Sequence, residues 1–247
     1  MSEKIKERMD TPYHGGSAHW WPPEGDHVIL YKANPLRFEY FDRFFGDWEN
    51  ARILDVGCGG GYACEFLARR RAIVSGTDLM TEALDQARSH AAREGLPIEY
   101  RQCTADRIPF DDQSMDAIVC VDVIEHIPAK DKTLAEIHRV LKPGGWLFFD
   151  TFNQTFWSKL FIIWLGEKIV RFIPEGTHHW PLFIRPEALT CLLERSGFGR
   201  VELGGLAFDR AARERHGFPF SISPKGNRKV IYFGAAQKSG GDSDELQ

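Results

Sequence analysis

The stretch Ile53-Leu54-Asp55-Val56-Gly57-Cys58-Gly59-Gly60-Gly61 constrains this chain more than any other. A short apolar run ends in an acid and a valine, then turns sharply through glycines. Ala63 to Arg71 follow with helical character. Residues without Cβ let the backbone turn tightly and let a ligand approach the main chain. The amides that open the next helix can meet a polar or anionic group. A second apolar run, Ala72 to Thr77, closes on Asp78. That spacing is the usual one for an acid that binds ribose hydroxyls in a doubly wound nucleotide fold.

Two ligands compete for this loop. A dinucleotide site wants G-x-G-x-x-G, whose third glycine lets helix and strand pack closely. Read from Gly57, that position falls on Tyr62. The pattern resembles motif I of class I S-adenosylmethionine-dependent methyltransferases. S-adenosylmethionine has no pyrophosphate, so Gly57 and Gly59 need only admit a zwitterionic amino acid and a sulfonium. Asp55 is placed to hold the positive end. The plain alternative is a glycine turn with no ligand; the strand–loop–helix setting and Asp78 argue against it.

The sequence has 247 residues, enough for one domain with a full core. A net charge of −4 gives no reason to expect a nucleic-acid partner. Five cysteines, with no paired metal spacing, suit reduced thiols in a cytoplasmic protein. Met1 to Asp10 is charged and lacks the apolar run of a secretory signal. No stretch reaches the length of a membrane span. The tail, residues 239–247, is rich in glycine, serine and acid and is expected to be disordered.

Strands and helices alternate, which predicts a parallel sheet covered on both faces. The expected strands are Arg52–Val56, Ala72–Thr77, Ile98–Cys103, Met115–Val121, Trp146–Phe152, Val201–Gly204 and Lys229–Ala235. Helices are expected over Met80–Glu94, Lys130–Leu141 and Pro186–Ser196. Lys142-Pro143-Gly144-Gly145 reads as a breaker between helix and strand. The predicted architecture is therefore an α/β, Rossmann-like doubly wound sheet of seven mostly parallel strands. Residues 1–45 form a helical N-terminal cap, and 46–238 form the domain. An excursion over 153–185 is too long for an ordinary connection and marks a functional insertion.

Three further places carry chemistry. Asp106 follows strand three, either near an adenine or as a turn cap. After strand four comes Val121-Asp122-Val123-Ile124-Glu125-His126. Such a run faces the ligand crevice. Asp122, Glu125 and His126 are a candidate set for a divalent cation such as Mg²⁺ or Zn²⁺; the bland reading is packing and capping. Third, His178 and His179 follow the insertion. His126 is the first candidate for proton transfer, with Glu125 beside it and His178 the weaker one.

Trp20-Trp21, Asn34-Pro35-Leu36-Arg37, Asp55 to Gly61, Asp122 to His126, Lys142 to Gly145, Phe152-Asn153 and Ile173-Pro174-Glu175-Gly176-Thr177-His178 together resemble the ubiquinone-biosynthesis O-methyltransferases. The resemblance runs from about Ala18 to Leu206. It implies S-adenosylmethionine as cofactor and a polyprenylated catechol or hydroquinol as acceptor. It implies that Arg37, Gly57 and Asp78 contact the cofactor, that Val121 lies against it, and that the chain works within a quinone-biosynthesis complex. The family's metal motif is Glu-x-x-Glu-His; here Asp122 replaces the first Glu. Beyond Leu206 the family pattern gives way to Ala207 to His216, which leaves the acceptor open. The rivals are a metal-independent methyltransferase of another hydroxylated metabolite and a non-catalytic binding subunit.

The insertion joins Phe156, Trp157, Phe161, Trp164, Leu165 and Ile169 with Lys159, Lys168 and Arg171. Such a segment suits a membrane interface; the competing reading is a helix of the core. The family's corresponding insertion implies peripheral membrane contact through 153–173, at the inner face. Trp20 and Trp21 either close over the cofactor or fill a core.

Overall fold

The computed structural model describes residues 20–21, 28–170 and 173–240. The expectations for Met1 to Asp10, for Arg171 and for tail residues 241–247 lie outside the described residues.

α1 (Val28–Phe41) precedes β1 (Arg52–Val56), and α2 (Tyr62–Ala68) follows the glycine loop. Next come β2 (Ile73–Asp78), α3 (Thr81–Arg93), β3 (Glu99–Gln102) and β4 (Met115–Cys120). α4 (Lys130–Val140) leads directly into β5 (Leu141–Phe152). The insertion is a turn of helix, Phe156–Ser158, that widens into a π-helix, Lys159–Ile169. α5 (Pro186–Arg195), β6 (Phe198–Phe208), α6 (Ala212–His216), β7 (Phe220–Ser223) and β8 (Ile231–Lys238) complete the chain.

The strands form one sheet in the order β3-β2-β1-β4-β5-β8-β6-β7. The first five are parallel, and β8 runs antiparallel between β5 and β6. β4 shows why the sheet is covered on both faces. Ala117 and Val119 join the apolar cluster of Phe38 and Phe41 from α1, Leu67 from α2 and Leu84 from α3. Ile118 and Cys120 join the opposite cluster, with Leu134 and Ile137 from α4 and Leu189 and Leu193 from α5. Successive side chains point to opposite faces, so a strand buried on both is apolar throughout.

Three expectations are corrected. Among the described residues the sheet has eight strands rather than seven, because β7 pairs with an extended β6. Lys142 to Gly145 ends α4 as expected but lies inside β5, with a register shift opposite Met115–Ala117. Gly144 takes φ +74, which spares the chain a strained side chain at that irregularity. Finally, β6 and β8 run beyond the expected bounds to Phe208 and Lys238.

Candidate active site

The glycine loop, Asp78, Asp122 and Asp150 to Phe152 gather at the carboxyl ends of β1, β2, β4 and β5, where the ligand crevice of a doubly wound sheet lies. Past β1 the chain turns at Gly57 (φ +75) and Gly59 (φ +52), and Gly61 (φ +87) opens α2. The Gly57 and Cys58 amides donate to the Thr77 carbonyl at 2.7 and 2.9 Å. That bonding clips the loop to β2. A Cβ on Gly57 would come within 2.4 Å of the Val123 side chain. The glycine loop therefore touches the segment after β4, and both belong to one crevice.

Asp78 ends β2. Its Oδ2 accepts from the Gly59 amide and its Oδ1 from the Met80 amide, both at 2.8 Å. A carboxylate has about four lone-pair positions, so both oxygens keep capacity for a hydroxyl. Burial raises its pKa, against those backbone bonds. Asp55 lies beneath the loop, buried, and accepts from the Cys64 thiol at 3.3 Å. Burial pushes it up to about 7, with the Cys64 bond opposing. Val121 packs on the core just past β4. Asp106 is exposed in the turn after β3.

Trp20 and Trp21 lie on the loop. A Cβ on Gly59 or Gly60 would run into the Trp20 ring at 2.4 or 2.5 Å. The Trp21 indole N–H donates to the Gly60 carbonyl at 3.0 Å, and its ring stacks on His90 at 3.5 Å. His90 in turn meets the buried Glu65 carboxylate at 2.6 Å.

Arg37 is buried in α1 and bridges two strand ends. Its Nε donates to Asp150 at 2.6 Å, and an Nη donates to Asp122. The Asp122 amide donates to the other Asp150 oxygen at 2.7 Å. Burial alone would lower the Arg37 pKa; the two carboxylates outweigh it and raise it. Burial pushes Asp150 up to about 6, with Arg37 opposing.

This network engages Asp122, one of the three residues expected to hold a metal. Asp122 takes φ +57 and pairs with Arg37. The residues brought together are Glu125, His126 and His178, whose ligand atoms lie within 4.8 Å of one another. The His126 and His178 rings are 5.1 Å apart. Glu125 accepts from the Thr151 hydroxyl at 2.9 Å. Burial pushes its carboxyl up to about 8, and Asp122 and Asp150 add to the effect. Burial also pulls His126 down to about 3, helped by His178 and Lys130. A desolvated carboxyl beside two imidazoles is a donor set that fits a divalent cation.

His178 is itself held. Its ring Nδ1 meets Glu167 Oε1 at 2.9 Å, and Phe152 lies edge-on at 5.1 Å. Burial opposes ionisation of Glu167, but bonds from His178 and Gly176 hold its pKa below the ordinary value.

Sequence reasoning missed Asp150, Thr151 and Glu167. Asp150 had a signal, being an acid inside the apolar run Trp146 to Phe152. Glu167 had one too, as the lone acid among residues 152–174. Thr151 had none.

On the insertion, Phe156 (69 % exposed), Trp164 (55 %) and Ile169 (69 %) stand in the open beside Trp157, Phe161 and Leu165. Only Ser158, Gly166 and Glu167 of that helical stretch are buried. Among the described residues, no helix is long and apolar enough to cross a membrane.

Residues 54–149 match the methyltransferase domain family. A ubiquinone biosynthesis O-methyltransferase of Alkalilimnicola ehrlichii is 39% identical over 75% of each chain. One of Bordetella avium is 33% identical over 90% of each. A solved S-adenosylmethionine-dependent methyltransferase of Methanosarcina mazei shares the fold at TM-score 0.57 and 24% identity, over 78% of this chain and 94% of that one. So does phosphoethanolamine N-methyltransferase 2 of Haemonchus contortus, solved with S-adenosylhomocysteine, at TM-score 0.61 and 19% identity, over 87% of this chain and 57% of that one. With its glycine loop, its Asp78 and relatives that align along most of its length, this chain belongs to the S-adenosylmethionine-dependent methyltransferases, in the family of the ubiquinone biosynthesis O-methyltransferases.

Proposed function

We propose that the chain methylates a phenolic hydroxyl of a polyprenylated quinone precursor, taken from a membrane surface. One observation carries this reading. The glycine loop touches Val123, and within the next three residues come Glu125, which is buried, and His126, two members of the Glu125–His126–His178 cluster. A cofactor crevice thus adjoins groups able to manage one proton or one cation.

In the reaction the phenolate oxygen attacks the S-methyl carbon, and the S–C bond breaks with its electron pair going to sulfur. The sulfonium is a strong electrophile, so alignment matters most. The glycine loop and Asp78 hold the cofactor. Arg37, through Asp122 and Asp150, fixes the ends of β4 and β5 around it. Glu125, pushed up to about 8, is better matched to a phenolic proton than an ordinary carboxylate. Glu125, His126 and His178 would hold a divalent cation, which when bound supplies a lowered pKa for the attacking hydroxyl. The exposed aromatic face of the insertion, with Lys159 and Lys168 nearby, supports contact with anionic lipid. A metal-independent reaction on another hydroxylated metabolite is the second reading, favoured by the distinct segment after Leu206 with its added β7.

The test is turnover of S-adenosylmethionine with a panel of catechols, prenylated and plain, with products weighed by mass spectrometry. Methylation of the prenylated catechols is expected. Cofactor binding without transfer to any phenol would overturn the proposal.

A further inference from the structure

Glu167 belongs to the insertion, yet it is bonded to the site. Its side chain is 2 % exposed, while Trp164, Leu165 and Ile169 on the same helix are bare. Oε1 meets both the His178 amide, at 2.8 Å, and the His178 ring Nδ1, at 2.9 Å. Oε2 accepts from the Gly176 amide at 2.9 Å. One carboxylate thus takes three bonds from a single loop. A carboxylate only accepts, so Nδ1 carries a proton, and in the neutral ring Nε2 then keeps its lone pair.

We infer that Glu167 is a positioning residue: it sets the orientation and tautomer of His178 and couples both to the helix that bears the exposed apolar face. The inference rests on the membrane reading above for its second half only. A ring that lies among the candidate ligands Glu125 and His126 is oriented by what holds its Nδ1, as metal-binding and proton-transferring imidazoles generally are. Here the tie runs to a residue two positions from Leu165 and three from Trp164. A helix that wobbles carries the ring with it. A helix seated on lipid holds it still.

The test uses the full chain with ¹⁵N-labelled histidine, at a pH where the ring is neutral. Wild-type His178 should show the Nδ1–H tautomer; Glu167→Ala should lose it, and Glu167→Gln, which keeps one acceptor oxygen, should largely retain it. With a water-soluble catechol, Glu167→Ala should lower kcat about 10- to 100-fold, the usual effect of removing such a partner. Its KM for S-adenosylmethionine should stay unchanged, and Glu167→Gln should recover most of the loss. Anionic vesicles should raise kcat of the wild type and leave Glu167→Ala unmoved. An unchanged tautomer and kcat in Glu167→Ala would overturn the positioning role, and equal stimulation of both proteins by vesicles would overturn the coupling. If wild type ignores vesicles, the membrane reading and the coupling fall together, while tautomer and kcat still decide the positioning. Should Glu167→Ala not fold, Glu167→Asp, whose shorter side chain withdraws the oxygen from Nδ1, gives the same comparison.

Discussion

Replacing Glu125 by glutamine should stabilise the metal-free protein at alkaline pH while damaging catalysis. The carboxyl is 1 % exposed, and its pKa moves from an ordinary 4.5 up to about 8. A folded-state pKa above the unfolded one means that the folded state binds the proton more tightly. Stability therefore falls as pH rises from about 4.5 to about 8 and stays at the lower level beyond. At about 1.4 kcal/mol per tenfold, the cost of the charge has an upper bound of about 5 kcal/mol. Relaxation and water entry reduce that, so about 2–4 kcal/mol is expected. Glutamine keeps the shape and can still accept from Thr151. His126 contributes in the other direction. Its folded value of about 3 lies below the ordinary 6.5, so stability falls as pH drops through that window. The two effects separate cleanly above pH 7. The assay is urea unfolding of both proteins after exhaustive chelation, at pH 5 and pH 9. Glu125→Gln should gain much more at pH 9 than at pH 5. Added divalent cation should then close or reverse the gap, because binding at about 1,000 times Kd stabilises the wild type by about 4.1 kcal/mol and the variant much less. Equal stability of the two chelated proteins at pH 9 would refute the claim that this carboxyl is held at a cost.

Asp78→Ala should weaken S-adenosylmethionine binding at least about tenfold by calorimetry, since bonds to a charged acceptor contribute about 1.5–3 kcal/mol each; unchanged affinity would remove Asp78 from the site. Asp150→Ala strands part of Arg37 and the Asp122 amide in the interior, so unfolding stability should drop by about 3 kcal/mol; a loss under about 1 kcal/mol would show that Asp122 alone satisfies the arginine. Phe161→Ser with Trp164→Ser should reduce co-sedimentation with anionic vesicles and leave the melting temperature nearly unchanged, because both rings are exposed. Salt should weaken the wild-type interaction by screening. A double variant that unfolds would place the insertion in the core.

Buried strands and the glycine loop were legible because burial and tight turns demand particular residues. β1 matched its expected bounds, and β4 fell one residue short at Cys120. β7 was not legible: Phe220 to Ser223 is four residues of mixed polarity, and it becomes a strand only because β6 runs on beside it. Lys142 to Gly145 misled in part, since proline and glycine punctuate a chain locally, while pairing with β4 at Leu141 before the segment and at Trp146 after it keeps the segment within β5. The site divides in the same way. Glu125 and His126 were legible from their place after a central strand. Asp122 was not, because spacing says nothing of the left-handed backbone that sends its side chain to Arg37. Glu167 comes to the site through the fold of the insertion, which no local pattern announces.

The end of β5 sets how this protein can vary. Asp150 serves Arg37 and Asp122, Thr151 serves Glu125, and Phe152 serves His178. Three consecutive residues support four different partners. A one-residue insertion in a strand turns every following side chain to the opposite face. Here such a slip would strip the support of all four partners at once, and β8, paired from Trp146 to Phe152, would lose its register as well. Length changes are therefore confined to places beyond this strand end. The segment after Leu206, where β7 joins the edge of the sheet, is one such place.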